Sequence, residues 1–162
     1  MLKALFLDID GVILSGEDLW RTKNNRYLPP EKIDLVHSIC DRTGAAVVVS
    51  STWRCFQDCP DLLAAAGLAH RLHRDWRTDQ ETRSASGIYR GEARGRQIQR
   101  WLDSHPEVSA YAIVDDDSDM LPEQMPHFVK TAFTTGLDGP LADRLVGILN
   151  SPPPPNPPTG DQ

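Results

Sequence analysis

The chain has 162 residues, 40% of them hydrophobic and 25% charged, which bounds it to one folded domain with a short appendage and excludes a two-domain enzyme. The net charge of -6 excludes sequence-wide attraction to nucleic acid or anionic lipid, so a polyanionic partner must be held by a local patch. No apolar run approaches the roughly 20 residues of a membrane span, and Met1-Leu2-Lys3-Ala4 has no signal-peptide architecture, so a cytoplasmic protein without membrane contact is expected. Cys40, Cys55 and Cys59 are odd in number and lack the CxxC spacing of a zinc knuckle, and read as free thiols.

Residues 2–9 form an apolar run interrupted only by Lys3 and Asp8, which suits a strand buried on both faces of a parallel sheet. A polar stretch follows, then a helix over residues 30–40, opened by Pro29-Pro30 and stopped near Gly44. Residues 45–50 predict a second buried strand and residues 59–66 a helix ended by Gly67. From His70 to Gly95 the pattern is irregular: six arginines are interleaved with Trp76 and Tyr89, which predicts a long loop or a short flap. His70 and His73, an HxxH, read as surface residues rather than a metal site. A helix over residues 96–102, strands over 110–114 and 128–133, and a closing helix over 138–149 complete the pattern. Strand–helix alternation implies an α/β fold. Residues 151–162 hold six of the 13 prolines in a stretch too polar to pack. They are expected to be a disordered tail, serving as a linker or as the ligand of a proline-reading partner.

In an open α/β sheet the functional crevice lies beyond the carboxyl ends of the strands. Here those ends carry Asp8-Ile9-Asp10-Gly11, Ser50-Ser51-Thr52 and Asp115-Asp116-Asp117-Ser118-Asp119. Each could be ordinary by itself: a turn, a helix cap, a solvated acidic loop. Together, at three successive strand ends, they make an acidic, hydroxyl-lined crevice. Clustered carboxylates repel, and a hard divalent cation such as Mg2+ is the natural countercharge, which suits phosphate chemistry.

The stretch Ala4-Leu5-Phe6-Leu7-Asp8-Ile9-Asp10-Gly11-Val12-Ile13 resembles the first motif of the haloacid dehalogenase (HAD) superfamily. Val47-Val48-Val49-Ser50-Ser51 is similar to its second motif, and Ala112-Ile113-Val114-Asp115-Asp116-Asp117-Ser118-Asp119 to its fourth. The basic residue of the third is placed at Arg94, with Arg90 and Arg96 as alternatives. Ser51-Thr52-Trp53-Arg54, Arg94-Gly95 and Trp101-Leu102 look like the small cap-poor members found in multidomain RNA-repair proteins. The resemblance covers residues 1–150 and implies a doubly wound three-layer α/β sandwich around a mainly parallel sheet, with a minimal cap or none.

It implies a magnesium-dependent phosphomonoesterase: Asp8 as nucleophile forming an aspartyl-phosphate, Asp10 as acid and base, and Ser51 or nearby Ser50 donating to the phosphoryl group. Arg94 offsets charge and orients Asp8. Mg2+ would be held by the Asp8 carboxylate, the Asp10 backbone carbonyl and Asp116, with Asp115 or Asp119 in reserve. An open site favours large phosphorylated substrates, either nucleic-acid ends and nucleotides or a phosphoprotein, with Thr52, Trp53 and Arg54 on the substrate. A receiver-like phosphoacceptor or a silent binding module are the readings from other classes. A receiver places its acidic pair and acceptor Asp differently.

Overall fold

The computed structural model describes residues 1–78 and 92–152. Arg90, Tyr89 and Arg83, together with nearly all of the proline-rich tail, lie outside the described residues. Five parallel strands form one sheet in the order β3-β2-β1-β4-β5: β1 Leu2–Leu7, β2 Ala45–Val49, β3 Leu72–Arg77, β4 Val108–Asp115 and β5 Phe128–Lys130. The chain leaves β1 for β2 on one side and returns to pair β4 on the other, so β1 and β4 flank the topological switch point where such sheets bind ligands.

The burial follows from the sequence. Ala4 to Leu7 and Ala112 to Val114 are fully buried because both faces of the central strands are covered. On one face helices α2 Pro30–Thr43, α3 Cys59–Ala65 and α5 Gly139–Asn150 bury Leu5, Leu7, Val47, Val49 and Val114. On the other, α4 Arg94–Asp103 packs Ile98 and Trp101 over Ala4, Phe6, Val48 and Ile113, with the Trp101 ring edge-on to Phe6 at 5.3 Å. Gly44 closes α2 in the left-handed conformation (φ 74°), as its position in the sequence predicts.

Two elements differ from the sequence reading. The segment expected to be wholly irregular contains β3, whose Leu-His-Arg-Asp-Trp-Arg lacks an apolar run because it is an edge strand paired only to β2. His73, expected at the surface, is buried there against Trp101, whereas His70 is exposed and stacks on His37. The polar stretch after Gly11 holds a short helix, α1 Gly16–Thr22, opened by a reciprocal cap between Ser15 and Asp18. Only α1 stands between β1 and α2, so that crossover carries no cap domain. The cysteines are free. No helix among the described residues is long and apolar enough to cross a membrane.

Candidate active site

The carboxyl ends of β1 and β4 are adjacent, and they bring Asp8 and Asp115 together from positions more than a hundred residues apart. One carboxylate oxygen from each of Asp8, Asp115 and Asp116 lies within 4.8 Å of the others, the only such group of potential metal ligands among the described residues. Asp8 and Asp115 are buried, Asp116 half-buried.

Gly11 explains how Asp116 reaches this point. Its φ of 79° is left-handed, and a Cβ there would stand 2.5 Å from the Asp116 carboxyl carbon. The Gly11 turn is held by Gly11 N–H donating to the Leu14 carbonyl (2.8 Å) and by Thr131 Oγ1 donating to the Gly11 carbonyl (2.6 Å). Thr131 sits one residue beyond β5, so the end of β5 is tied to the turn that follows β1.

Among the described residues one cation faces the cluster. Arg94 lies 3.8 Å from Asp8 (Nη1 to Oδ1) and 3.8 Å from Asp115 (Nε to Oδ2), within ion-pair reach but beyond hydrogen-bond distance. Its position is fixed at the backbone: Arg94 N–H donates to Asp119 Oδ2 (2.7 Å), and Gly95 N–H to the Asp119 carbonyl (3.1 Å). Gln124 then accepts from Leu121 N–H and donates to the Gly95 carbonyl. Asp119 thus caps α4 from the acidic loop, and a Cβ on Gly95 would collide with Gln124 and Leu121 at 2.6 Å. Arg96, one turn side away, is exposed.

The electrostatics of the carboxylates diverge from ordinary surface groups. Burial, then the Asp115 charge, push the Asp8 carboxyl well above its usual range against the opposing pull of Arg94. Burial raises Asp115 to about 6, although the Asp117 N–H bond and Arg94 favour its anion. Asp115 Oδ2 and Arg94 Nη1 are buried without a hydrogen-bond partner. Three carboxylates against one guanidinium, with an orphaned carboxylate oxygen pointing among them, form a hard-oxygen donor set that a divalent cation fits.

Asp10 stands apart from this group. Its carboxylate accepts from Trp53 Nε1–H at 3.2 Å, and burial raises its pKa modestly against that bond. Ser51 Oγ accepts from Trp53 N–H (3.2 Å), which leaves its own hydroxyl proton to donate, while Ser50 Oγ is buried and unpartnered.

The family model described as "HAD domain in Swiss Army Knife RNA repair proteins" matches residues 4–142, most of the chain. The chain belongs to this HAD family. It is accordingly a domain of the phosphatase-type hydrolase superfamily. Neither the curated proteins nor the solved structures compared with it give a significant match.

Within this HAD domain two residues read as substrate-binding are placed elsewhere. Trp53 is 1% exposed and cannot offer a ring face to a base; it reaches the site only through its bond to Asp10. Arg54 is 2% exposed, and its guanidinium donates to the carbonyls of Ser50, Ser51 and Thr78 and to Gln97 Oε1, so it fastens the β2 loop to β3 and α4. Thr52, by contrast, is exposed. Sequence reasoning missed Arg26, which lies near enough to Asp10 to favour its anion, and Thr131 and Gln124, which hold the site loops. For Arg26 no local signal exists; its place depends on how the segment between α1 and α2 crosses the sheet end.

Proposed function

We propose that this HAD domain is a magnesium-dependent phosphomonoesterase acting through an aspartyl-phosphate, with nucleic-acid ends or nucleotides as substrates. The observation that carries the reading is the convergence of Asp8, Asp115 and Asp116 beside Arg94 at the switch point. Asp8, Asp115 and Asp116 would hold Mg2+, with the Asp10 carbonyl completing the protein ligands. The bound ion supplies positive charge that keeps both carboxylates ionised and lets a phosphate dianion approach.

The residues of the chain divide the remaining work. An Asp8 oxygen attacks phosphorus while the bond to the leaving oxygen breaks, and Asp10 gives that oxygen a proton. Asp10 is suited to this because burial raises its pKa and so favours the protonated form that must donate. The new anion of Asp10 then takes a proton from water as that water attacks phosphorus. The bond to Asp8 breaks, inorganic phosphate leaves, and both aspartates return to their starting states. Ser51 donates its free hydroxyl proton to a phosphoryl oxygen, and Arg94, preset by Asp119, balances charge on Asp8 and the transferring group.

The test is phosphate release with Mg2+ from 3'- and 5'-phosphorylated oligonucleotides, mononucleotides, a phosphopeptide and acetyl phosphate, wild type beside Asp8→Asn. Turnover of the nucleotide substrates that vanishes in Asp8→Asn is expected. Turnover that survives in Asp8→Asn, or a wild type that hydrolyses nothing, refutes the mechanism.

A further inference from the structure

Phe56 is 38% exposed and belongs to neither buried cluster of the domain, although its neighbour in sequence, Trp53, is fully enclosed. A single exposed ring is ordinary by itself, and what it can do depends on what surrounds it. The guanidinium of Arg26 sits over it, 4.1 Å from the ring centroid, and 5.5 Å from that of Trp53. Arg26 is itself 38% exposed along its side chain, and its ion pair with the half-exposed Asp58 is long, 3.9 Å. So loose a pair holds the guanidinium weakly.

The location of this ring and cation matters more than their exposure. Trp53 and Phe56 are 6.2 Å apart, centroid to centroid, and the indole N–H of Trp53 donates to Asp10. Asp10 is the group that protonates the leaving oxygen in the reading above. A ring that packs on the indole bonded to that carboxylate is therefore on the Asp10 side of the site, where the leaving group would lie.

We propose that Phe56 and Arg26 form the leaving-group subsite, where the ring and the guanidinium plane stack on the terminal nucleobase of a phosphorylated nucleotide or nucleic-acid end; the inference rests on the phosphatase reading. The chemistry is selective. A nucleobase offers a flat π-face to both partners, whereas a phosphoserine or sugar phosphate offers none. Trp53 braces the ring at a 47° tilt, so little freedom is lost when a base settles on it. Arg26 adds positive charge near Asp10.

The experiment compares kcat/KM for a nucleoside monophosphate with that for acetyl phosphate, which has no ring. Phe56→Ala lowers the ratio about ten- to a hundredfold, chiefly through KM, and Phe56→Trp keeps it. Arg26→Gln lowers it as well. In parallel, calorimetry on the Asp8→Asn protein, which cannot turn over, measures binding of a phosphorylated dinucleotide and a phosphoserine peptide. The dinucleotide is expected to bind more tightly, and adding Phe56→Ala removes that preference. A ratio unchanged by Phe56→Ala, or equal binding of dinucleotide and peptide, overturns the subsite. A wild type inactive on every substrate overturns the phosphatase reading instead, and the binding arm then decides the subsite alone: no dinucleotide binding, or binding indifferent to Phe56→Ala, refutes it.

Discussion

Asp115→Asn should make the metal-free protein more stable. In the fold, burial lifts the Asp115 carboxyl from the ordinary 3.8 to about 6, so the folded state holds a proton that the unfolded chain releases. A carboxyl raised in this way contributes full stability below the unfolded value, and that contribution is lost as pH rises through about 6. Converted at 1.36 kcal/mol per tenfold, ionised Asp115 costs the fold about 3 kcal/mol at pH 7.5. Asparagine keeps the shape and the acceptor for Asp117 N–H without the charge, and relief of Asp8, whose anion Asp115 opposes, acts in the same direction. Urea unfolding in EDTA should therefore find the variant about 3 kcal/mol more stable at pH 7.5 and within about 1 kcal/mol of wild type at pH 4. With Mg2+ at a hundred times its Kd, wild type gains about 3 kcal/mol while the variant, short of a ligand, gains less. A variant no more stable than wild type at pH 7.5 in EDTA, or a gap that persists at pH 4, would refute the reasoning.

Gly11→Ala forces a non-glycine residue to a φ of 79° and drives Cβ into the Asp116 carboxyl, so it should cost about 2 kcal/mol in urea unfolding. It should also raise the Mg2+ concentration for half-maximal activity at least tenfold; an unchanged metal dependence would separate Asp116 from the ion. Asp18→Asn should cost about 3 kcal/mol, because it leaves Lys32, 11% exposed, without the carboxylate it meets at 3.0 Å. Burial would raise the Asp18 carboxyl, but hydrogen bonds from Ser15, Lys32 and Arg21 hold it below the usual range, so its contribution is present above about pH 4 and lost as pH falls further. The gap between wild type and Asp18→Asn should accordingly be flat from pH 7 to 4.5 and narrow below that.

Sequence patterning was most informative where burial is symmetric. The apolar runs of β1 and β4 announce central strands, and whatever follows them must sit at the carboxyl edge of the sheet, which is why Asp8 and the acidic run Asp115 to Asp119 read as sharing one crevice, with Asp116 rather than Asp115 as the expected partner of Asp8. β3 left no such trace: an edge strand is half solvated, and Leu-His-Arg-Asp-Trp-Arg reads as a loop until Trp101 Nε1–H is seen donating to the Asp75 carbonyl. α1 had a legible signal in Ser15 and Asp18 three residues apart. Arg94 could be separated from Arg96 only through its backbone bond to Asp119, a contact spanning 25 residues. Trp53 and Arg54 show the opposite failure. Their residue types suit substrate contact, but both are buried, and Thr78 and Gln97, the partners that hold Arg54, come from other parts of the chain.

The two kinds of buried carboxylate in this domain argue for where its chemistry lies. Asp18 exposes as little surface as Asp8 but lies at a shallower depth, and there Ser15, Lys32 and Arg21 satisfy its oxygens and its pKa falls, as a charge held for stability requires. Among the described residues Asp8 and Asp115 have one guanidinium at 3.8 Å between them, an oxygen without a partner, and shifts in the opposite direction. Asp18 shows how this fold satisfies a carboxylate with neighbouring donors, and Asp8 and Asp115 are not satisfied in that way. Leaving the conflict in place makes sense only if something outside the polypeptide resolves it, and at the switch point of the sheet a divalent cation and a phosphoryl group together would do so.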